Sequence, residues 1–200
     1  MRCRDSDLSV LNRLIIFGFL IWNSICGFQM RQIVIVAGSN RTGTSLLASI
    51  LVDQKGFTIP GAACTDSTEY NTHECEEFRK ISRHWDTKAA TEFVEKLSGE
   101  RILLKYPKSS YVLDRWLGLI PDARVIYVYR PREEAVESQL KNWWGDRPFK
   151  NIVRKMYNHQ WNRGFMAMAS LKVPVCFVTF AELKERETFE FPQSFNWPVG

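Results

Sequence analysis

The chain is poor in the residues from which metal centres and disulfide frameworks are built. It holds three histidines, His73, His84 and His159, and five cysteines, Cys3, Cys26, Cys64, Cys75 and Cys176. The cysteines are odd in number and scattered, with no Cys-x-x-Cys. They do not form a disulfide framework, and they suit a reducing compartment. No histidine falls at ligand spacing from them, so no structural metal is expected. Zinc-finger spacing, an RNP-like aromatic motif and any long basic run are also missing. Nucleic acid is therefore not the expected partner, despite a net charge of +5 and a pI of about 9.0. That basic balance suits a small anionic ligand instead.

Long apolar runs are absent too. Leu14–Trp22 stops at Asn23 and Ser24 and resumes over Ile25–Phe28, with Arg2, Arg4 and Arg13 ahead of it. This is short of the roughly 20 apolar residues of a membrane span, and it resembles a signal peptide or short anchor. The first core strand is expected at Ile33, which leaves no stem between bilayer and domain, and Met30 suits the start of the folded part. Residues 1–29 are thus set apart as a hydrophobic extension or mis-assigned start, and residues 30–200 as one domain. A cytoplasmic location is expected, with anchoring through residues 13–28 as the alternative. There is no repeat, low-complexity tract or linker.

What the chain does have is a polar loop between an apolar strand and a helix, Ile33-Val34-Ile35-Val36-Ala37-Gly38-Ser39-Asn40-Arg41-Thr42-Gly43-Thr44-Ser45. Glycines let backbone wrap an anion, and a helix N-terminus adds positive potential. The segment is one residue away from the nucleoside-triphosphate loop G-x-x-x-x-G-K-[ST]: Thr44 stands where the lysine belongs. The cation comes earlier, at Arg41.

A second motif runs through Val125-Ile126-Tyr127-Val128-Tyr129-Arg130-Pro131 to Ser138. An apolar strand ends in Arg130, and Pro131 opens a helix. Ser138, two turns on, lies on the side of that helix facing its start. Arg130 and Ser138 then suit one phosphate between them, as fork and hydroxyl donor.

Together, from about Gln32 to Leu183, these segments resemble the sulfotransferases that use 3′-phosphoadenosine 5′-phosphosulfate (PAPS). The resemblance implies a three-layer α/β/α fold with a central parallel sheet and no metal requirement. It implies that Gly38, Asn40, Arg41, Thr42, Gly43, Thr44 and Ser45 hold the 5′-phosphosulfate, with Arg41 also catalytic, and that Arg130 and Ser138 hold the 3′-phosphate. Leu104-Lys105-Tyr106-Pro107 is similar to the family's Lys-x-Pro, which puts Lys105 on the sulfuryl or bridging oxygen. No histidine follows Lys105, so the base is sought in Asn71-Thr72-His73-Glu74-Cys75-Glu76-Glu77-Phe78, with Glu74 first and His73 and Glu76 as alternatives. One departure is that Phe191–Gly200 lacks the family's C-terminal basic, glycine-containing loop, which leaves the 3′-phosphate with fewer contacts or the acceptor pocket open.

The pattern of elements agrees. Strands are expected at Ile33–Ala37, Arg101–Lys105, Arg124–Tyr129 and Val173–Thr179. Helices are expected at Thr44–Val52, Glu74–Trp85, Lys88–Leu97, Tyr111–Leu119, Arg132–Trp143 and Asn151–Leu171. Alternation of this kind makes a parallel sheet, whose ligands bind beyond the strand C-termini, where Gly38–Ser45, Lys105 and Arg130 all fall. The expected activity is sulfuryl transfer from PAPS to a small-molecule or glycan hydroxyl. Trp143, Trp144, Trp161 and Trp197 offer faces for a sugar, and the acceptor pocket is sought near Thr58–Asn71 and Trp143–Trp144. A small-metabolite kinase and an inactive nucleotide-binding relative are the alternatives.

Overall fold

A computed structural model of the chain describes residues 31–61, 73–141, 149–171, 174–185, 189–191 and 195. The N-terminal extension, most of the Thr58–Asn71 loop, Trp143, Trp144 and Trp197 lie outside these residues. In chain order the elements are β1 (Gln32–Gly38), α1 (Thr44–Lys55), α2 (Glu76–Arg83), α3 (Thr87–Lys96), β2 (Arg101–Lys105), a 3₁₀ turn (Pro107–Tyr111), α4 (Leu113–Leu119), β3 (Arg124–Tyr129), α5 (Arg132–Gln139), α6 (Lys150–Leu171), β4 (Val175–Thr179) and α7 (Phe180–Glu185).

The four strands make one parallel sheet in the order β2-β1-β3-β4. A strand that is buried on both faces has no reason to alternate. Val34 to Ala37 of β1 and Val125 to Val128 of β3 are accordingly unbroken apolar runs with no exposed side chain. From β1 the chain passes first to β2 on one side and later to β3 on the other. The crevice beyond the end of β1 is therefore a topological switch point, where open α/β sheets bind ligands.

Alternation along each strand decides which residues meet which layer. Ile33, Ile35 and Ala37 share a core with Ile102, Leu104, Val125 and Tyr127, closed by residues of α2, α3, α4 and α6. At its heart Trp116 is fully buried, with Phe78 at 4.6 Å and Trp85 at 5.1 Å between ring centres. Its indole N–H donates to Ser82 Oγ at 3.0 Å, so the polar end of this large side chain is satisfied. On the opposite face α1 packs against β1 and β2 through Leu47, Ala48 and Leu51. Lys105 pairs with Val36 in the sheet and so emerges on the α1 face, as does Arg130 two residues beyond Val128.

The elements differ from the sequence pattern at several ends. Cys75 stays extended, its Sγ accepting from Phe78 N, so α2 starts at Glu76 and Glu74 lies ahead of it. The helix expected over Tyr111–Leu119 is two pieces, because Val112 (φ −130°, ψ 23°) leaves the helical region between the 3₁₀ turn and α4. Helix α7, directly after β4, was not expected from the pattern. Among the described residues no helix is long and apolar enough to cross a membrane.

Candidate functional site

Strand β1 ends on Gly38, whose amide donates to Ser110 Oγ at 3.2 Å while its carbonyl accepts from the same hydroxyl at 2.8 Å. A Cβ at this position would lie 2.7 Å from Val128 O, so only glycine lets β1 and β3 approach here. The loop then folds back through two left-handed residues, Arg41 (φ 65°) and Gly43 (φ 101°). Thr42 Oγ1 donates to Ser39 O at 2.8 Å and braces the bend.

Helix α1 opens on Gly43 with no side-chain cap and no acidic residue in its first turn. The next two helices are capped: Cys75 serves α2, and Asp86 accepts from Ala89 N at 2.8 Å in α3. Gly43 has no side chain to cap α1, and the helix dipole favours an anion there. Gly43 also lies under Phe180 of α7, where an added Cβ would fall 2.5 Å from Cδ2. Replacing Gly43 by alanine is expected to lower stability by about 1–3 kcal/mol through the left-handed φ and the ring contact. A urea midpoint equal to wild type would show that the loop does not hold this conformation.

Lys105 reaches the head of α1 from β2. Its Nζ donates to Ser45 Oγ at 2.9 Å and to Glu74 Oε1 at 2.8 Å. The pair is sealed, with side-chain exposures of 1% for Lys105 and 4% for Glu74. The other two acidic or basic candidates sit elsewhere. Glu76 is on the surface, bonded to Lys80 at 2.8 Å, which holds its carboxyl below the usual range. His73 adopts φ 69°, and burial pulls its imidazole below the usual histidine value, with Asp53 opposing and Lys105 assisting. Glu74 is the one of the three bonded to Lys105.

Arg130 and Ser138 converge with the loop. Arg130 Nη1 donates to Arg41 O at 3.5 Å, and Arg41 Nε donates to Ser138 Oγ at 3.3 Å. Arg130 also bonds Glu134 at 3.2 Å and lies 4.4 Å over the Phe180 ring. Tyr157 of α6 donates to Arg130 O at 2.6 Å. Burial pushes its phenol far above the ordinary tyrosine value, so it remains a donor at neutral pH. Two hollows flank Arg130. One, of about 380 Å³, is lined by Glu134, Glu137, Ser138 and Lys141 as well. The other, of about 520 Å³, is walled by Tyr129, Pro131, Thr179, Phe180 and Lys184 among others.

No protein-family model and no curated protein sequence matches the chain. Solved structures do. A sulfotransferase from Mycobacterium avium superposes with a TM-score of 0.54 at 13% identity, over 78% of this chain and 60% of that one. A sulfotransferase from Mycobacterium tuberculosis H37Rv gives 0.49 at 16% identity, over 78% and 64%. Deoxyadenosine kinase from M. mycoides gives 0.42 at 11% identity, over 76% and 93%. The fold is of the P-loop type. The chain spans about 60% of the length of the first of these enzymes.

The residues singled out by pattern thus fall into two groups at one sheet edge: Lys105, Glu74 and Ser45 on the β2 side, and Arg41, Arg130 and Ser138 on the β3 side. Three neighbours carried no sequence signal. Ser110 is one serine of a turn, Gln160 one polar residue of a long helix, and Phe180 an ordinary aromatic after a strand. The end of β4 is where a ligand-facing residue is expected in this fold, and that rule would have found Phe180. Trp161, a candidate sugar platform, is half-buried 5.2 Å from both the Tyr127 and Tyr129 rings, and it lines a hollow of about 630 Å³ together with Tyr129, Tyr157 and Phe177. Among the described residues no three His, Cys, Asp or Glu side chains gather as a metal-holding set.

Proposed function

We propose that this site binds PAPS and transfers its sulfuryl group to a hydroxyl of a small molecule or glycan. The observation that carries this reading is where the cations stand. Thr44 replaces the lysine that a nucleoside-triphosphate loop needs for its β- and γ-phosphates. The ammonium at the head of α1 belongs to Lys105 instead, 2.9 Å from Ser45 Oγ, and two guanidiniums, Arg41 and Arg130, lie at the loop's other side. That spacing suits an anion at each end of a nucleotide.

In this reading Gly38–Ser45 hold the 5′-phosphosulfate by backbone N–H groups and the hydroxyls of Thr44 and Ser45. Arg130 and Ser138 take the 3′-phosphate in the smaller hollow, and the Phe180 hollow takes the base. The donor supplies an activated sulfuryl group. Lys105 offers a fixed cation where negative charge develops, and Glu74 accepts the proton of the attacking hydroxyl. Both act without reorganising water, because both are already buried.

Calorimetry with adenosine 3′,5′-bisphosphate, AMP and ATP–Mg²⁺ tests this. Tight binding of the bisphosphate in the presence of a chelator supports it. Preference for ATP–Mg²⁺ makes the protein a kinase, and binding of none of the three leaves a fold without the activity. Arg130→Ala should weaken the bisphosphate by about tenfold to a hundredfold, the worth of a charged hydrogen bond, and leave AMP unaffected. An equal loss for both nucleotides removes Arg130 from the 3′-phosphate.

A further inference from the structure

We infer that Gln160 is a positioning residue for the anion loop, acting from the buried side of α6; the inference rests on the loop being the anion site. Gln160 is 1% exposed, in the middle of a 22-residue helix. Its Oε1 accepts from the backbone N–H of Asn40 at 3.2 Å, across 120 residues of sequence. That bond takes up one loop amide from behind and fixes the direction of the Ser39–Asn40 peptide, just ahead of Arg41, the residue with φ 65°.

A second polar side chain is buried between α6 and the sheet. One turn beyond Gln160, Gly164 lets the Tyr127 ring press against α6: a Cβ there would lie 2.7 Å from Cε2 and 3.0 Å from the phenol oxygen. Tyr127 is fully buried, and burial pushes its phenol up to about 12, against a small opposing pull from the nearby Ser110 and Ser39 hydroxyls. Neither hydroxyl completes a hydrogen bond to it. Tyr127 OH and the neighbouring Ser39 Oγ are buried with no protein partner in bonding geometry, and so is Gln160 Nε2, whose side chain lies by the Tyr111 phenol. Native proteins close such gaps with enclosed water that makes two to four hydrogen bonds. Through the Asn40 bond Gln160 sets the loop's shape before any anion arrives.

The test is amide hydrogen exchange on the ligand-free protein, compared with bisphosphate binding. In wild type the Asn40 amide should be protected. In Gln160→Leu it should exchange at least about tenfold faster, and the bisphosphate should bind about tenfold more weakly, while Val34–Val36 stay protected. Gln160→Glu keeps the acceptor and should restore Asn40 protection. It also places negative charge behind the loop, so the bisphosphate should still bind weakly, an effect that simple core filling would not produce. If Gln160→Leu does not fold, Gln160→Asn, which draws the amide back by one methylene, takes its place. An unprotected Asn40 in wild type, or wild-type exchange in Gln160→Leu, overturns the assignment. A protected Asn40 in a wild-type protein that binds no bisphosphate rejects the sulfotransferase reading and leaves Gln160 in its role.

Discussion

Replacing Lys105 by methionine should lower stability by about 3–5 kcal/mol, the usual cost of removing one member of a buried ion pair. The figure is a large share of the 5–15 kcal/mol that holds a typical domain together. The reason is the carboxylate left behind. Glu74 is 3% exposed, and its Oε1 loses a bond of 2.8 Å that water cannot replace without opening the core. Turnover should fall by about 10²–10³, the loss seen when one fixed donor to developing charge is removed. The double variant Lys105→Met/Glu74→Gln separates the two effects. With the orphaned charge gone, most of the lost stability should return, and turnover should not. Urea midpoints of the wild type, both single variants and the double variant measure the coupling directly. A double variant no more stable than Lys105→Met would mean that Glu74 is not what penalises the loss of Lys105.

The second large effect is expected at Glu74 itself. Glu74→Gln keeps the shape and an oxygen for Lys105 but removes the capacity to take a proton. A positioned general base contributes about 10²–10⁴ to rate, so turnover should drop by that factor while bisphosphate affinity is unchanged. The assay follows release of adenosine 3′,5′-bisphosphate from PAPS with hydroxyl acceptors found by screening. Glu76→Gln is the control, since Glu76 is a surface residue paired with Lys80. Loss of turnover in Glu76→Gln with Glu74→Gln unaffected would move the base by two residues and free Glu74 for a structural role only.

Much of the scaffold could be read from the chain because burial on both faces writes itself into composition. Strands Arg101–Lys105 and Arg124–Tyr129 agree with the pattern to the residue, and the glycine-flanked loop announces both its turn and its helix. Local backbone choices were harder. Whether Val112 interrupts a helix, or Cys75 caps one, depends on a single residue's φ and ψ. Glu74 is the instructive case. As a sequence it reads equally as an acidic residue in a solvated first turn, stabilised by the helix dipole. Its burial against Lys105 comes from two strands and a loop arriving at one place, and no window of neighbouring residues contains that information. Gln160 is the same kind of case at longer range.

The loop at the end of β1 is tied to Ser110, Ser138 and Gln160, contacts that span 72, 97 and 120 residues, and it is packed by Phe180. Each such contact closes a long stretch of chain, and closure entropy must be met before the contact returns anything. The β1–β2 and β1–β3 pairs close shorter stretches than the Asn40–Gln160 bond does. The segment that carries the clearest motif thus depends on a residue 120 positions further along the chain for its bond to α6. A protein with its sheet assembled and α6 still undocked has every residue of the loop but not the Gln160 bond that holds it.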